Sequence, residues 1–359
     1  MSEITSLEID FFPVGENSKS GDAIALRFGK VENDKWINQT IFVIDGGNSD
    51  SGDEIVKHIK EVYNSNSVDR VILTHPDGDH ASGLRKVIEG LNVGKIWMHC
   101  PWNHWNDLKN SIVDGRITKK SFKTRVQEAY QYAYEIEQLA KQKKIEIFKP
   151  EQGSCYYKGD DKYLTVLGPD GELFLRMIQN SEKTPEMDLS ESVKKTFSSK
   201  EKEIAYEDMT YQTEHLADND EETSPENNMS LVMLLTVAGA KVLFTGDSGT
   251  EGMFKAIKYA NSKNISLKDL DVFQVPHHGS KHNLSKGILK YINAQYGIIS
   301  CAKEGEPSHP SKIVTNSLVR RNIPPFSTKG ILLNYHKGIV PYRNLYPVSP
   351  IPFYNYVEI

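Results

Sequence analysis

Four times in this chain a short apolar run ends in a loop of aspartates or histidines. IFVIDGG delivers Asp45, and RVILTHPDGDH delivers His75, Asp77, Asp79 and His80. KVLFTGD delivers Asp247, and DVFQVPHHGS delivers His277 and His278. A short apolar run bounded by turn residues reads as a buried strand. In α/β folds, strand ends project side chains into a shared cleft at a sheet edge. The pattern therefore restricts the chain to folds in which several strands stop at one rim.

The intervening segments fit that restriction. LEIDFFPV, DAIALRF and QTIFVID read as strands, separated by Gly, Asn and Lys clusters. SGDEIVKHIKEVYN has the helical spacing of Ile55, Ile59 and Val62, and ASGLRKVIEGL reads as the next helix. Alternation of strand and helix argues for an α/β layered core. SFKTRVQEAYQYAYEIEQLAKQKK predicts one long amphipathic helix, with Val126, Ala129, Ala133, Ile136 and Ala140 on one face, inside a helical insertion over 102–145. IEIFKP and KYLTVLGP resume strands. Residues 171–226 are polar and partly acidic. They read either as a loosely packed insertion or as a lid or protein-binding arm. A second strand-rich half follows from NNMSLVMLLTVAGAKVLFTGD onward. Two such halves predict two sheets packed face to face, helices outside, in one domain over 1–359.

Charge and cysteines narrow the function classes. A net charge of −5 gives no broad basic surface for nucleic acid. Cys100, Cys155 and Cys301 are an odd, widely spaced set and not a disulfide framework, which predicts a reducing cytoplasm. The opening MSEITSLEID lacks the basic start and apolar core of a secretory signal, and no run approaches a membrane span, so no membrane partner is expected.

Singly, each loop has a plain structural reading. Asp45 can be a turn former or helix cap, DGDH a turn, HHGS a surface loop. Jointly, after four apolar strands, imidazole nitrogens and carboxylate oxygens are the donor set for zinc or manganese. Two such ions sharing a carboxylate can activate water and stabilise a leaving oxygen.

THPDGDH resembles the HxHxDH signature of the metallo-β-lactamase fold superfamily, with Asp77 in place of the second histidine. With NMSLV, TGD and HHGS it is most similar to the soluble hydrolase domain of the ComEC-like competence proteins. VGENSKSGDAIALRF, SHPS at 308–311 and KGILLNY are also similar to that family. The resemblance covers residues 7–100, 146–170 and 227–336, and implies an α/β four-layer αβ/βα sandwich with helical and polar insertions. It implies two divalent ions, zinc or manganese, one of them weakly held. His75 and Asp77 would bind the first. Asp79, His80 and His278 would bind the second, Asp247 would bridge, and Asp45 would orient a ligand. The family's third-motif histidine is absent. PENNMSLV stands there, making Asn227 or Asn228 candidates to approach metal or substrate, with His215 upstream a weaker one.

The resemblance further implies a nuclease or other phosphodiesterase acting on a nucleic acid or nucleotide, with Asp79 orienting the attacking water. His309, His277 or His282 would steady the transition state or protonate the leaving group. Lys281 is a phosphate-binding candidate. Trp97 reads as core, while Trp102 and Trp105 read as helix packing or as base-stacking platforms. Two other readings stay open: hydrolysis of a small phosphodiester such as a cyclic nucleotide or phosphocholine ester, and a non-catalytic sensor or scaffold.

Overall fold

The computed structural model describes residues 4–15, 19–112, 115–184, 203–219, 223–305 and 308–359. The first half runs β1 (Ser6–Phe11), β2 (Ala23–Glu32), β3 (Lys35–Gly46), α1 (Ser49–Glu61), β4 (Ser67–Ile72), α2 (Gly78–Gly90) and β5 (Asn92–Trp97). It continues with α3 (Trp105–Leu108), α4 (Lys119–Ala129), α5 (Gln131–Lys143) and β6 (Glu146–Phe148). The second half runs β7 (Cys155–Lys158), β8 (Asp161–Gly168), α6 (Gly171–Asn180), β9 (Ile204–Tyr206), α7 (Pro225–Asn228), β10 (Val232–Val237) and β11 (Ala240–Phe244). Then come α8 (Thr250–Ser262), β12 (Leu270–Gln274), α9 (Lys286–Leu289), β13 (Ala294–Ile299), α10 (Lys312–Arg320), β14 (Pro325–Ser327), β15 (Leu333–Lys337) and β16 (Tyr356–Glu358).

Two seven-stranded sheets have the orders β15-β1-β2-β3-β4-β5-β6 and β14-β13-β12-β11-β10-β8-β7. Each joins an antiparallel part to a parallel part. The change of direction falls at β3–β4 in one sheet and at β11–β12 in the other. The four site-bearing loops leave from the C-terminal ends of these two strand pairs, one pair per sheet.

Side-chain alternation builds the layers. Leu7, Ile9 and Phe11 of β1 point inward with Ile24, Phe28 and Phe42, and meet Met233, Leu235, Phe244 and Val272 of the facing sheet. Each such fully buried side chain contributes roughly 1.5–3 kcal/mol. The alternate β1 residues Glu8 and Asp10 are buried too, on the other face. Arg27 and Arg343 pair with Glu8, and Arg343 and His58 with Asp10, so neither charge is left alone. Helices α1, α2, α4, α5 and α6 cover the outside of the first sheet. Helices α8, α9 and α10 cover the second. The result is the expected four-layer sandwich.

Two expectations need correction. The single helix over 121–144 is two helices, broken at Tyr130, whose φ of −111° and ψ of 46° leave helical space. Its buried hydroxyl donates to Glu226 Oε1 at 3.0 Å, a long-range bond made at the break. Residues 171–226 are not uniformly polar and loosely packed. Helix α6 buries Leu173, Phe174, Met177 and Ile178 in the core that holds α2 and α5. Downstream, β9 pairs antiparallel with β16, and Leu216 enters the core beneath α8–α10. The remainder, 185–202 and 220–222, lies outside the described residues.

Candidate metal centre

Helix α2 reaches the rim by close backbone approach. A Cβ on Gly83 would stand 1.9 Å from the Gly46 carbonyl oxygen, and one on Gly46 2.3 Å from Leu84 N. Only glycine lets α2 lie directly on the end of β3. That contact sets His80 of α2 beside Asp45 of β3, with His80 Nδ1 2.8 Å from Asp45 Oδ2. Asp45, His277 and His278 all adopt positive φ, at 53°, 47° and 57°. Such strain in non-glycine residues persists where the surroundings over-determine the conformation, often at functional sites.

The centre is built around one oxygen. Asp247 Oδ2 lies 3.3 Å from His80 Nε2, 3.5 Å from His278 Nε2, 3.7 Å from His277 Nε2 and 3.8 Å from His75 Nε2. Their other ring nitrogens identify the tautomers. His278 Nδ1 donates to Ser300 O at 2.8 Å, and His80 Nδ1 to Asp45 Oδ2. Thr74 Oγ1 donates to Asp45 Oδ2 at 2.6 Å and so accepts from His75 Nδ1 at 3.1 Å. Asn283 Nδ2 donates to Asp247 O at 2.8 Å, which turns its Oδ1 to accept from His277 Nδ1 at 2.7 Å. With Nδ1 engaged in this way, each ring turns its Nε2 toward the carboxylate. The Nε2 atoms of His75, His80 and His278, and Oδ1 of Asp247, are buried without a hydrogen-bond partner. Converging acceptors of this kind need a cation or shared protons between them. The donor set fits a divalent metal.

The remaining residues take distinct places. Asp79 has a carboxylate oxygen within 4.8 Å of the ligand nitrogens of His80 and His278. Asp77 does not join this cluster. Its Oδ1 receives Lys183 Nζ at 2.6 Å. Asn228 Oδ1 caps Gly252 N at 3.1 Å, and Asn227 Nδ2 donates to Thr223 Oγ1 at 2.7 Å. His309, with a buried and unpartnered Nδ1, has its ring centre 5.8 Å from that of His277. His215 sits instead against Glu207, at 3.2 Å. Trp102 is buried, its Nε1 donating to Glu137, and Trp105 packs on Phe122, so neither is placed to stack a base. Trp97 is core. Sequence reasoning assigned no role to Asp22, a buried aspartate whose Oδ2 is 3.8 Å from His80 Nδ1 and whose Oδ1 has no partner. Its signal was its place in VGENSKSGDAIALRF, a stretch similar to the ComEC-like family whose aspartate was given no role. Thr74, Asn283 and Lys183 were also missed.

These groups floor a cavity of about 1140 Å³. Asp77, Asp79, Asp247, His277, His278 and His309 line it, with Asn227, Lys281 and His282. Lys19, Lys183 and Lys312 add positive charge, and Tyr130 and Tyr132 add aromatic surface. The lining thus carries both signs, four lysines beside Asp77, Asp79, Glu128, Asp247 and Glu358.

With this geometry in view, residues 36–128 match the model of the metallo-beta-lactamase superfamily. The chain has the metallo-β-lactamase fold. Members of the superfamily are metal-dependent hydrolases. ComE operon protein 3 of Bacillus subtilis (strain 168) is 30% identical over 125 residues, which cover 34% of this chain and 15% of that protein. The aligned part is thus a small fraction of that relative's length. Among solved structures, a diphosphatase of the PhnP family is 9% identical with a TM-score of 0.39, over 94% of this chain and all of that one (100%). The metallo-β-lactamase MIM-1 from Novosphingobium pentaromativorans is 11% identical with a TM-score of 0.32, over 80% of this chain and 83% of that one. Among the described residues no helix is long and apolar enough to cross a membrane.

Electrostatics within the Asp247 cluster yields a pH prediction. Burial opposes charge on His80 and His278, but the Asp247 carboxylate outweighs it and raises both above the ordinary imidazole value of 6.5. Burial and the neighbouring His80 instead push His75 well down, leaving it neutral. Asp247 is held well below the carboxylate range by His278, His80 and His277 against the effect of burial. A folded value above the unfolded one stabilises below the unfolded pKa and loses that stability as pH rises through the folded value. Metal-free protein should therefore lose stability as pH rises above about 6.5. Metal, which replaces those protons, should stabilise more as pH rises. Thermal melts with chelator and with manganese at about pH 6 and about pH 8.5 check this. An equal metal-induced shift at both would contradict the assigned centre.

Proposed function

We propose that the chain is a metal-dependent phosphodiesterase acting on a nucleic acid or nucleotide. The observation that carries the reading is the convergence of four imidazole Nε2 atoms on Asp247 Oδ2, inside a cavity whose mouth carries lysines. In this reading His80, His278, Asp79 and Asp247 hold the ion, with His75 and His277 completing the ring around Asp247. A divalent ion bound there supplies Lewis acidity to water and phosphoryl oxygen. Asp45 holds His80, and through Thr74 His75, with the lone pair inward. Lys281 and Lys312, both in the cavity lining, would attract the phosphate. In this reading His309 or His282, both in the lining, would give the leaving oxygen its proton, and the half-exposed Tyr132 would offer a face for a base.

A second reading, a small phosphodiester as substrate, is favoured by the walls that α4–α5 and the loop of His309 raise around the cavity. Hydrolysis of bis-p-nitrophenyl phosphate by wild type and by an Asp79→Ala, His80→Ala double variant tests the phosphodiesterase assignment. Metal-dependent turnover should vanish in the variant. Equal turnover in both proteins would end the proposal. Competition among single-stranded DNA, RNA and cyclic dinucleotides then separates the two substrate classes.

A further inference from the structure

Two ions a few ångströms apart each need their own ligands. One set is present and compact: every imidazole of the centre points to the same Asp247 oxygen. The residues that would complete a second set are otherwise engaged. Asp77 Oδ1 is bound by Lys183 Nζ at 2.6 Å. Asn228 Oδ1 is committed to the backbone of α8, while Asn227 turns its Nδ2 to Thr223 and the His277 ring. Among the candidates for a first ion, that leaves His75 and the shared Asp247, 3.8 Å apart.

Lys183 is seated, not loosely held. Besides Asp77 it lies 3.9 Å from Glu226 Oε1 and 5.0 Å above the Tyr130 ring. Glu226 is in turn held by the Tyr130 hydroxyl at 3.0 Å. The lysine follows α6, which is anchored in the helical core, and it lines the same cavity as the Asp247 cluster. Its ammonium lies against the carboxylate that would otherwise bind a cation.

We infer that this chain holds one divalent ion, and that Lys183, bound to Asp77, stands in for the second and contacts the substrate's phosphoryl oxygens. The inference rests on the proposed phosphodiesterase reading. It predicts that Asp77 is a seat for Lys183 and not a metal ligand, in departure from the pattern the sequence motif resembles.

The test is metal stoichiometry, read by elemental analysis after chelator treatment, reloading with manganese or zinc, and gel filtration. Wild type should retain one ion per chain. Asp77→Asn should also retain one, whereas His80→Ala with His278→Ala should retain none. Lys183→Met should keep its ion and lose about 10–100-fold in kcat/KM for bis-p-nitrophenyl phosphate, with part regained in Lys183→Arg. Two ions in wild type, loss of the ion in Asp77→Asn, or unchanged hydrolysis in Lys183→Met would each overturn the inference while leaving the metal hydrolase standing. Absence of any ion from reloaded wild type would overturn both.

Discussion

Asp247→Asn should abolish metal retention and lower phosphodiester hydrolysis by about 10³-fold or more, exceeding the 10–100-fold typical of groups that only orient ligands. The substitution is nearly isosteric, so packing is kept and the negative charge alone is removed. That charge is the one common to all four imidazoles, each with Nε2 within 3.8 Å of Oδ2. Without it the nitrogens face a neutral amide, and the protons or cation that the carboxylate held are no longer favoured. Elemental analysis and steady-state kinetics, with circular dichroism to establish folding, check the result. Retention of the ion by a folded Asp247→Asn protein would remove Asp247 from the centre.

Gly83→Ala should destabilise by about 3 kcal/mol or more, the upper end for overpacking, because the obstacle is main chain on two sides. The new methyl would stand 1.9 Å from Gly46 O and 2.4 Å from Asn48 O. Neither carbonyl can move without shifting the end of β3 or the start of α1. If α2 instead lifts, His80 leaves Asp45 and metal affinity falls with stability. Gly115→Ala, with nothing within 4 Å of the added carbon, is the control and should change stability by no more than about 0.5 kcal/mol. Urea unfolding of both variants, with and without metal, separates the two responses. A Gly83→Ala protein as stable as wild type would mean that the α2–β3 contact is not tight.

The site was legible where chemistry follows directly from a strand. RVILTHPDGDH announces His75 and His80 because an apolar run must be buried and its end must open on a rim. The same reasoning placed Asp45, Asp247 and the histidine pair. Partners distant in sequence were illegible: Lys183 meets Asp77 across 106 residues. Likewise the break at Tyr130 carries no Pro or Gly to signal it, and the hydrogen bond its hydroxyl makes there is to Glu226, 96 residues away. Helix α6 was obscured by averaging. Its four buried apolar residues open a long polar stretch and disappear in that window's composition. Asp22 was overlooked because VGENSKSGDAIALRF was matched as a stretch and its aspartate, alone after a glycine, was given no ligand role.

The crossover from antiparallel to parallel pairing occurs once in each sheet, and the candidate ligands are divided between those two places. His75 and His80 belong to one half of the chain; Asp247, His277 and His278 belong to the other. A bound ion would act as a clasp between the halves. An intermediate with one sheet formed would own only part of the clasp and bind metal weakly, so the moment of tight uptake during refolding would time the docking of one half on the other.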